Sequence, residues 1–462
     1  MSALRRYARS FTGFERDARI FLVTTLIYGV ALSLWWVDFN LYLTALGFDP
    51  AFIGISGTVG AVAGVLVAFP ASILSDRLGR RIVLVLGAAG STLAIAGLIV
   101  VTSPIAILAC AAAMGAASQA IFVVQSPFLM EHSRPEHRNE LFSLQSAILT
   151  MTSVGAALLG GALAAIVGSV AGIGTSDPAV YRVLLLVMAV AAAVATVTVL
   201  ALRDDRPRRR RDPRTAEQRP GDAWAGEPIA SRPDRPPASR RVRLGIPHPS
   251  DPTTFWRLLI PGFLIALGAG QVIPYLNVFI EGKFDIDLAA LNVIFAVTSL
   301  GTAFAIMVQP ALARRFGKVG SVVLVQGVSI PFLVVLGFSP VLWTVVMAMA
   351  VRNSLMNAGN PIANAFAMEQ LRPAERATYA ATASLLWSLG WAIAGPWYSL
   401  LQATLGFEAG YTVNFVTVIV LYSLGTWLYW RWFHEVEERP ARGPERAIAG
   451  RPADIAQRQA PA

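Results

Sequence analysis

Long apolar runs separated by short charged turns constrain this chain more than any other feature. One such turn, residues 75–81, reads SDRLGRR and separates the apolar run 52–74 from the run 82–101. About 20 apolar residues in a helix cross a bilayer core of roughly 30 Å, so each run is long enough to be a transmembrane helix. The whole chain is 55% hydrophobic and 14% charged, which excludes an ordinary soluble domain.

The same criterion predicts an all-α integral membrane protein with twelve transmembrane helices, which we call spans 1 to 12 in chain order. Span 9 is the shortest of them. The predicted spans lie at residues 21–47, 52–74, 82–101, 105–130, 141–170, 183–202, 255–280, 289–312, 321–337, 341–368, 378–405 and 411–433.

The basic residues indicate how the spans are oriented. With this assignment, Arg182 and Lys283 are the Lys and Arg residues of the outer loops, Arg352 lies inside a span, and all the others fall on the opposite side. Because Lys and Arg are enriched in cytoplasmic loops, the sequence predicts a multi-pass protein of the plasma or inner membrane with both termini in the cytoplasm. The net charge of +10 is then ascribed to the inner membrane face, and no nucleic-acid partner is expected.

Composition divides the chain into four parts. Residues 1–202 and 255–434 each hold six predicted spans and are expected to form an N-terminal and a C-terminal six-helix bundle. The linker 203–254 is rich in Arg and Pro and poor in apolar residues, so it is predicted to be a disordered cytoplasmic segment. The tail 435–462 has a similar composition and is also predicted to be disordered and cytoplasmic.

The two bundles repeat one another in sequence. The pattern ME-x-x-RP-x-x-R begins at Met130 and again at Met368, an offset of 238 residues. At the same offset, the turn residues Gly79 and Arg80 match Gly317 and Lys318. Two loops that agree at one offset predict six duplicated spans in the same orientation, which is a parallel repeat of the kind found in transporters.

The turn at 75–81 resembles the loop between helices 2 and 3 of the major facilitator superfamily. The family's glycine four residues before the aspartate is Ser72 in this chain. Span 5 also looks like a worn version of the family's antiporter motif, in which Gly160 and Gly161 are kept while Ala156 and Ala157 replace Gly-Pro. The resemblance covers all twelve spans. It implies two six-helix bundles and secondary active transport by alternating access, and it favours a drug–proton antiporter-like member.

The resemblance also implies a gate on the cytoplasmic face. Asp76 and Arg80, together with Glu131 and Arg138, are expected to link spans 2, 4 and 11 when the protein is open outward. One departure is informative, because the position equivalent to Asp76 in the second half is Arg314. The predicted gating residues are Asp76, Arg77, Gly79, Arg80, Glu131, Arg138, Gly317, Glu369 and Arg376.

In the resemblance, spans 1, 4, 7 and 10 line a central cavity, and the polar residues of this chain agree with that placement. The asparagines of span 10 follow one another at spacings of three and four, so they form one stripe on a helix face. The stripe can line the cavity or hydrogen-bond to neighbouring helices, and both interpretations stay open. The predicted lining residues are Trp36, Asn40, Gln119, Gln271, Tyr275, Asn277, Asn353, Asn357 and Asn360.

Asp38 and Arg352 are the charged residues that lie well inside the apolar spans. A charge near the bilayer centre costs about 2.5–3.5 kcal/mol or more, so such a residue is a functional hypothesis by default. Asp38 is predicted to bind a proton or a substrate charge, with Arg352 as its partner or as an anion-binding group. The alternatives are a fixed structural ion pair and a position of Asp38 in the wet outer mouth.

The sequence therefore predicts a transporter of a small organic solute that is neutral or amphipathic, with proton-coupled export as the first hypothesis. Uptake of a metabolite and a non-transporting membrane sensor of the same fold are the alternatives. The sequence contains no phosphate-binding loop and no pattern of a nucleophile with a base, so an enzyme is not expected. No cofactor or metal is expected, the bilayer and the solute are the expected partners, and the protein is expected to be a monomer.

The topology is testable. Because the basic residues segregate to one side, cysteines placed in the linker 203–254 should be unreachable by a membrane-impermeant thiol reagent added outside intact cells. Labelling of such a linker cysteine in intact cells would refute the whole span assignment.

Overall fold

The computed structural model describes residues 14–133, 138–203, 250–372 and 375–438. Nearly all of the predicted linker and tail lie outside these residues, as do Arg134 and Pro135 of the repeated pattern. Every regular element of the described parts is helical, which confirms the predicted all-α class. The helices are Arg16–Ala45, Pro50–Leu78, Arg80–Val100, Pro104–Glu131, Arg138–Ala171, Pro178–Leu200, Pro252–Val272, Leu276–Phe284, Leu288–Phe316, Lys318–Phe338, Leu342–Gln370 and Arg376–Glu438.

These helices follow the predicted spans in order, with two differences in their division. Span 7 consists of two helices, Pro252–Val272 and Leu276–Phe284, joined by a 3-10 turn. Spans 11 and 12 form one element, Arg376–Glu438, which is interrupted at Gly406, where φ is 75°. Among the described residues, nine helices are long and apolar enough to cross a membrane. The number of twelve crossings stays a prediction.

Aspartates begin several of the spans. Asp49, Asp177, Asp251 and Asp287 each accept a hydrogen bond from a backbone N–H of the first helical turn that follows. An N-cap of this kind stabilises a helix by about 1 kcal/mol because the first N–H groups have no partner inside the helix. The bonds from Thr254, from its side chain first and then its backbone, lower the pKa of the exposed Asp251 carboxyl group.

Glycine allows the two tightest turns. Gly79 between spans 2 and 3 has a φ of 99°, and Gly317 between spans 8 and 9 has a φ of 71°. A residue with a Cβ resists this backbone region, so glycine is required where two spans meet without a longer loop. The two positions are equivalent in the sequence repeat, which the structure therefore reproduces. We call the end of the molecule that carries these turns the terminal end, and the opposite one the far end.

The spans pack as two bundles. In the first bundle, span 4 packs against spans 2 and 3, and span 1 packs against spans 5 and 6. In the second bundle, span 10 packs against spans 8 and 9 in the same way. The bundles meet along two surfaces, span 2 against span 11 and span 5 against span 8. This is the two-bundle architecture that the sequence predicts.

Spans 2 and 4 approach so closely that only glycine fits between them. A Cβ built on Gly115 would lie 2.0 Å from the carbonyl oxygen of Gly60, which is backbone and cannot move aside freely. Gly115→Ala should therefore lower the stability of the protein by about 1–3 kcal/mol, measured as a lower melting temperature in detergent. Gly327→Ala in span 9 is the matched control, because a Cβ there has no neighbour within 4 Å. An equal effect of both variants would contradict this packing.

Candidate functional site

A cavity of about 740 Å³ lies between the two bundles. In the first bundle it is lined by the far half of span 1 and by the middles of spans 2 and 4. In the second bundle its walls reach towards the terminal end, since Leu258 at the start of span 7, Ala367 near the end of span 10 and Tyr379 at the start of span 11 all line it. The cavity therefore runs from the middle of the molecule towards the terminal end.

Aromatic side chains form much of the cavity wall. The indole rings of Trp36 and Trp391 meet edge to face with centroids 5.9 Å apart, and Trp387 lies 6.3 Å from Trp391. Trp35 stacks on Phe39 at 4.1 Å. Flat rings that carry a negative face and a positive edge suit a planar or apolar ligand, which they can stack on or enclose.

Uncharged polar groups complete the wall. The cavity-lining side chains of Gln119, Asn360, Asn364, Ser384 and Ser388 make no hydrogen bond with the described residues of the protein. They are free to bond a ligand or water. The described residues that line the cavity include no Asp, Glu, Lys, Arg or His. The site can thus recognise hydrogen-bonding groups but offers no counter-charge.

The far end is closed by hydrogen bonds between the bundles. Span 7 is interrupted by a 3-10 turn that contains Pro274, and the N–H of Val278 donates to the side chain of Asn277 at 3.0 Å. The Pro274 carbonyl accepts from Asn40 Nδ2 at 2.5 Å, and Asn277 Nδ2 donates to the Val37 carbonyl at 2.6 Å. The break in span 7 thus provides the groups that hold it to span 1.

Two further contacts join the first bundle to the start of span 8. One comes from the loop between spans 5 and 6, and the other comes from span 1. Thr175 Oγ1 donates to Asp287 Oδ2 at 3.1 Å, and Asn292 Nδ2 donates to Asp38 Oδ1 at 3.2 Å. All hydrogen bonds found between the bundles in the described parts of the chain lie in the far half. The bundles are consequently joined at the far end, and the cavity extends from there towards the terminal end.

The structure places only some of the predicted lining residues at the cavity. Trp36, Asn40, Gln119, Tyr275 and Asn360 line it. The remaining residues do not line it, and four of them are buried, namely Asp38, Gln271, Asn277 and Arg352. The residues outside the lining are Asp38, Gln271, Asn277, Arg352, Asn353 and Asn357.

Asp38 and Arg352 do not pair in this conformation. Asp38 bonds Asn292, while Arg352 donates to the hydroxyl of Tyr422 at 2.7 Å and to Asn353 Oδ1 at 3.1 Å. Both charged residues are buried, with relative exposures of 1% and 4%. Asp38 is therefore held at the interface between the bundles, and Arg352 is held inside the second bundle.

The predicted gating residues form a network inside each bundle. Arg80 donates to Glu131 Oε1 at 3.1 Å and also to Asp76, which links spans 2, 3 and 4. In the second bundle, Lys318 donates to Glu369, the two residues equivalent to Arg80 and Glu131. These bonds stay within the bundles and do not cross to the opposite one.

Other predicted gating residues lie outside this network. Arg77 is exposed in the last turn of span 2, and Arg376 donates from Nε to the carbonyl of Leu371 at 3.3 Å. The side chains of Arg138 and Arg314 lie outside the described residues.

Three residues of the site were missed by the sequence reasoning. Trp387 and Trp391 lie on span 11, which the family resemblance does not assign to the cavity, although their spacing of four on one helix face was a usable signal. Asn292 on span 8 was missed because one amide within an apolar run gives no periodic pattern. Its role depends on its contact with Asp38.

The sequence profile of the Major Facilitator Superfamily matches residues 21–395. The match covers most of the chain, and the protein belongs to the Major Facilitator Superfamily. It is accordingly a multi-pass membrane protein of a transporter family. A comparison with curated protein sequences gives no significant match.

Solved structures with the same fold are transporters. The nucleoside transporter NupG is 14% identical, with a TM-score of 0.67 over 90% of this chain and 99% of that chain. A bacterial homolog of the human lysosomal transporter Spinster, in an inward-facing and occupied conformation, is 14% identical, with a TM-score of 0.64 over 92% of this chain and 98% of that one. At this identity the likeness concerns the fold.

The closure of the far end can be tested on Asn277. Asn277→Ala removes its bond to Val37 and the partner that it offers to Asn40, so the far end should open more often. Spin labels at Val170→Cys and Val341→Cys, both exposed positions at the far ends of spans 5 and 10, should then report a larger population of long distances.

The background for this measurement is Cys110→Ala, because Cys110 is the one cysteine of the chain. Asn414→Ala is the matched control, since Asn414 is a buried asparagine in the far half of span 12 without a hydrogen-bond partner. The role of Asn277 in closure would be refuted by unchanged distances in Asn277→Ala, or by an equal change in the control.

Proposed function

We propose that this protein is a secondary active transporter that moves an uncharged small organic solute by alternating access. The observation that carries the proposal is the chemistry of the cavity, where indole rings and unbonded amides and hydroxyls occur together without an Asp, Glu, Lys, Arg or His among the described lining residues. A charged solute would lose its hydration there without gaining a counter-charge, which is unfavourable by several kcal/mol. A neutral solute loses much less.

The expected solute combines a flat or apolar ring with several hydrogen-bonding groups. The ring would pack between Trp36 and Trp391, while the amides of Gln119 and Asn360 and the hydroxyl of Ser388 would bond its polar edge. Nucleosides have this chemistry, and NupG, which shares the fold, is described as a nucleoside transporter. A neutral nucleoside such as uridine is therefore the first probe.

We also propose an orientation and a direction. If the twelve predicted spans and the segregation of basic residues hold, the terminal end faces the cytoplasm of a cell with this protein in its plasma or inner membrane. The conformation described here is then inward-facing. Export in exchange for protons is proposed, on the antiporter-like glycines Gly160 and Gly161 of span 5. One chain encloses the whole cavity, so a monomer is the proposed working unit.

Asp38 is the proposed proton-binding residue. It is a buried carboxylate at the contact between the bundles, where a change of charge acts directly on the closure of the far end. In alternation, Arg352 would be available to Asp38 in another conformation only after it leaves Tyr422.

Binding of the solute is tested with Trp391→Ala. Losing the indole should weaken the binding of uridine, measured as thermal stabilisation and as uptake into proteoliposomes, by about tenfold. Trp397→Ala is the matched control, because Trp397 lies on the same span, is 42% exposed and does not line the cavity.

The same assay includes uridine monophosphate as a charged analogue of the same ring. Preference for the neutral probe, with loss in Trp391→Ala alone, supports the proposal. Tighter binding of the phosphorylated probe would contradict it, and so would an equal loss in the control variant.

A further inference from the structure

Asp38 and Asn292 are joined across the bundle interface by one hydrogen bond, and each side chain keeps one oxygen without a donor. Asn292 Nδ2 donates both of its hydrogens, one to Asp38 Oδ1 and one to the carbonyl of Leu288, each at 3.2 Å. Because the Leu288 contact requires a donor, it fixes which end of the amide is nitrogen. The remaining oxygens, Asp38 Oδ2 and Asn292 Oδ1, are buried and have no hydrogen-bond partner among the described residues.

Two acceptor oxygens left over in such a pair are unfavourable when Asp38 is ionised. Buried polar atoms without a partner cost about 1–3 kcal/mol each. A carboxylic acid and a primary amide, in contrast, form a cyclic pair with two hydrogen bonds. One proton on Asp38 Oδ2, donated to Asn292 Oδ1, satisfies both atoms.

No hydrogen bond from another described residue reaches either of these two oxygens. The Asn292 amide faces the glycine pair of span 5, where a Cβ on Gly160 would lie 3.3 Å from Asn292 Oδ1. Tyr181 of span 6 carries a hydroxyl and lies in the field of Asp38, Glu281 and Asp287, but it makes no hydrogen bond with Asp38.

The neighbouring elements also carry Arg182, Lys283 and Arg352, and none of them makes a salt bridge with Asp38. Lys283 donates to the carbonyl of Gly337, and Arg352 donates to Tyr422 and Asn353.

The equivalent interface of the second half lacks this pair. At the offset of 238 residues, Asp38 corresponds to Leu276 and Asn292 corresponds to Gly54. There, span 2 packs through Gly54 directly against Tyr398 and Ser399 of span 11. Tyr275 of span 7 also donates to the carbonyl of Gly54 there, at 3.4 Å. The architecture can therefore close this kind of interface without a carboxyl group, and the pair of Asp38 and Asn292 adds something that closure itself does not require.

We propose that Asp38 and Asn292 form a proton-dependent latch, in which the protonated acid and the amide hold spans 1 and 8 together at the far end. A proton from the aqueous phase adds to Asp38 Oδ2 and forms the second hydrogen bond of the pair. Its departure to water breaks that bond and leaves two unpaired oxygens, which favours separation of the bundles. Asn292 is a positioning residue. The inference rests on the proposed proton coupling and names the structural partner through which it acts.

The latch is tested in the full-length protein with the spin-labelled pair at positions 170 and 341. Far-end closure should increase as the pH falls from about 9 to about 5, by up to about tenfold in the closed-to-open ratio for each pH unit around the midpoint. Asp38→Asn forms an amide pair that needs no proton, so its closed fraction should no longer change with pH. Replacing sodium by potassium at constant pH should have no effect.

An exchange of the two residues gives the sharpest test. Asp38→Asn combined with Asn292→Asp places the acid on span 8 and the amide on span 1, so the pH response should return with a shifted midpoint. Asp38→Asn combined with Asn414→Asp is the matched control, because it holds the same residues with the acid at a buried position outside the pair. The control should stay insensitive to pH.

An infrared measurement provides a second, independent readout. The unlabelled protein should show the absorption of a protonated carboxyl group in the closed form, and this band should be lost in Asp38→Asn. The latch is overturned if the band is absent at low pH, if Asp38→Asn keeps the pH response, if the exchanged pair behaves like its control, or if closure follows sodium. If the protein does not transport uridine but keeps the pH response, the proposed solute is refuted and the latch is not.

Discussion

Closure of the molecule depends on hydrogen bonds between spans 1 and 7 in an apolar environment. In a bilayer core, each peptide N–H and C=O must find its hydrogen bond inside the protein. Pro274 interrupts span 7, and its carbonyl is satisfied by Asn40 of the opposite bundle, while Asn277 bonds the carbonyl of Val37 in return. The backbone carbonyls of Pro274 and Val37 thus accept the bonds that join the two bundles. Separation of the bundles at this end exposes them again, and water must take their place.

The two halves have the same architecture and use it differently. At the terminal end, the Arg80–Glu131 and Lys318–Glu369 pairs occupy equivalent positions in the two bundles. At the far end, the interface of spans 2 and 11 closes by a tyrosine and a serine packed on a glycine, whereas the interface of spans 5 and 8 leaves room for an amide that meets Asp38. A duplicated fold therefore has one interface without a carboxyl group and one that includes the carboxyl group of Asp38.

The sequence located part of the site because some of its residues are polar exceptions in apolar spans. Asn40 and Gln119 are of this kind, and both line the cavity. Trp391 could not be found in this way, since an aromatic residue in a membrane span is ordinary and its position beside Trp36 depends on the angle at which spans 1 and 11 cross. The asparagine stripe of span 10 is divided in the structure, with Asn360 at the cavity and Asn353 bonded to Arg352.

By itself, the sequence determined the elements of this protein. Apolar runs of bilayer length can only be helices, aspartates and glycines fix where several of them begin and turn, and the offset of 238 residues makes the second half a copy of the first. Tertiary structure alone decided which polar groups meet. Depth along a helix allowed Asp38 to face Arg352, but a hydrogen bond also requires the right rotation about the helix axis and a separation near 3 Å. That geometry places Asn292 beside Asp38 and Tyr422 beside Arg352.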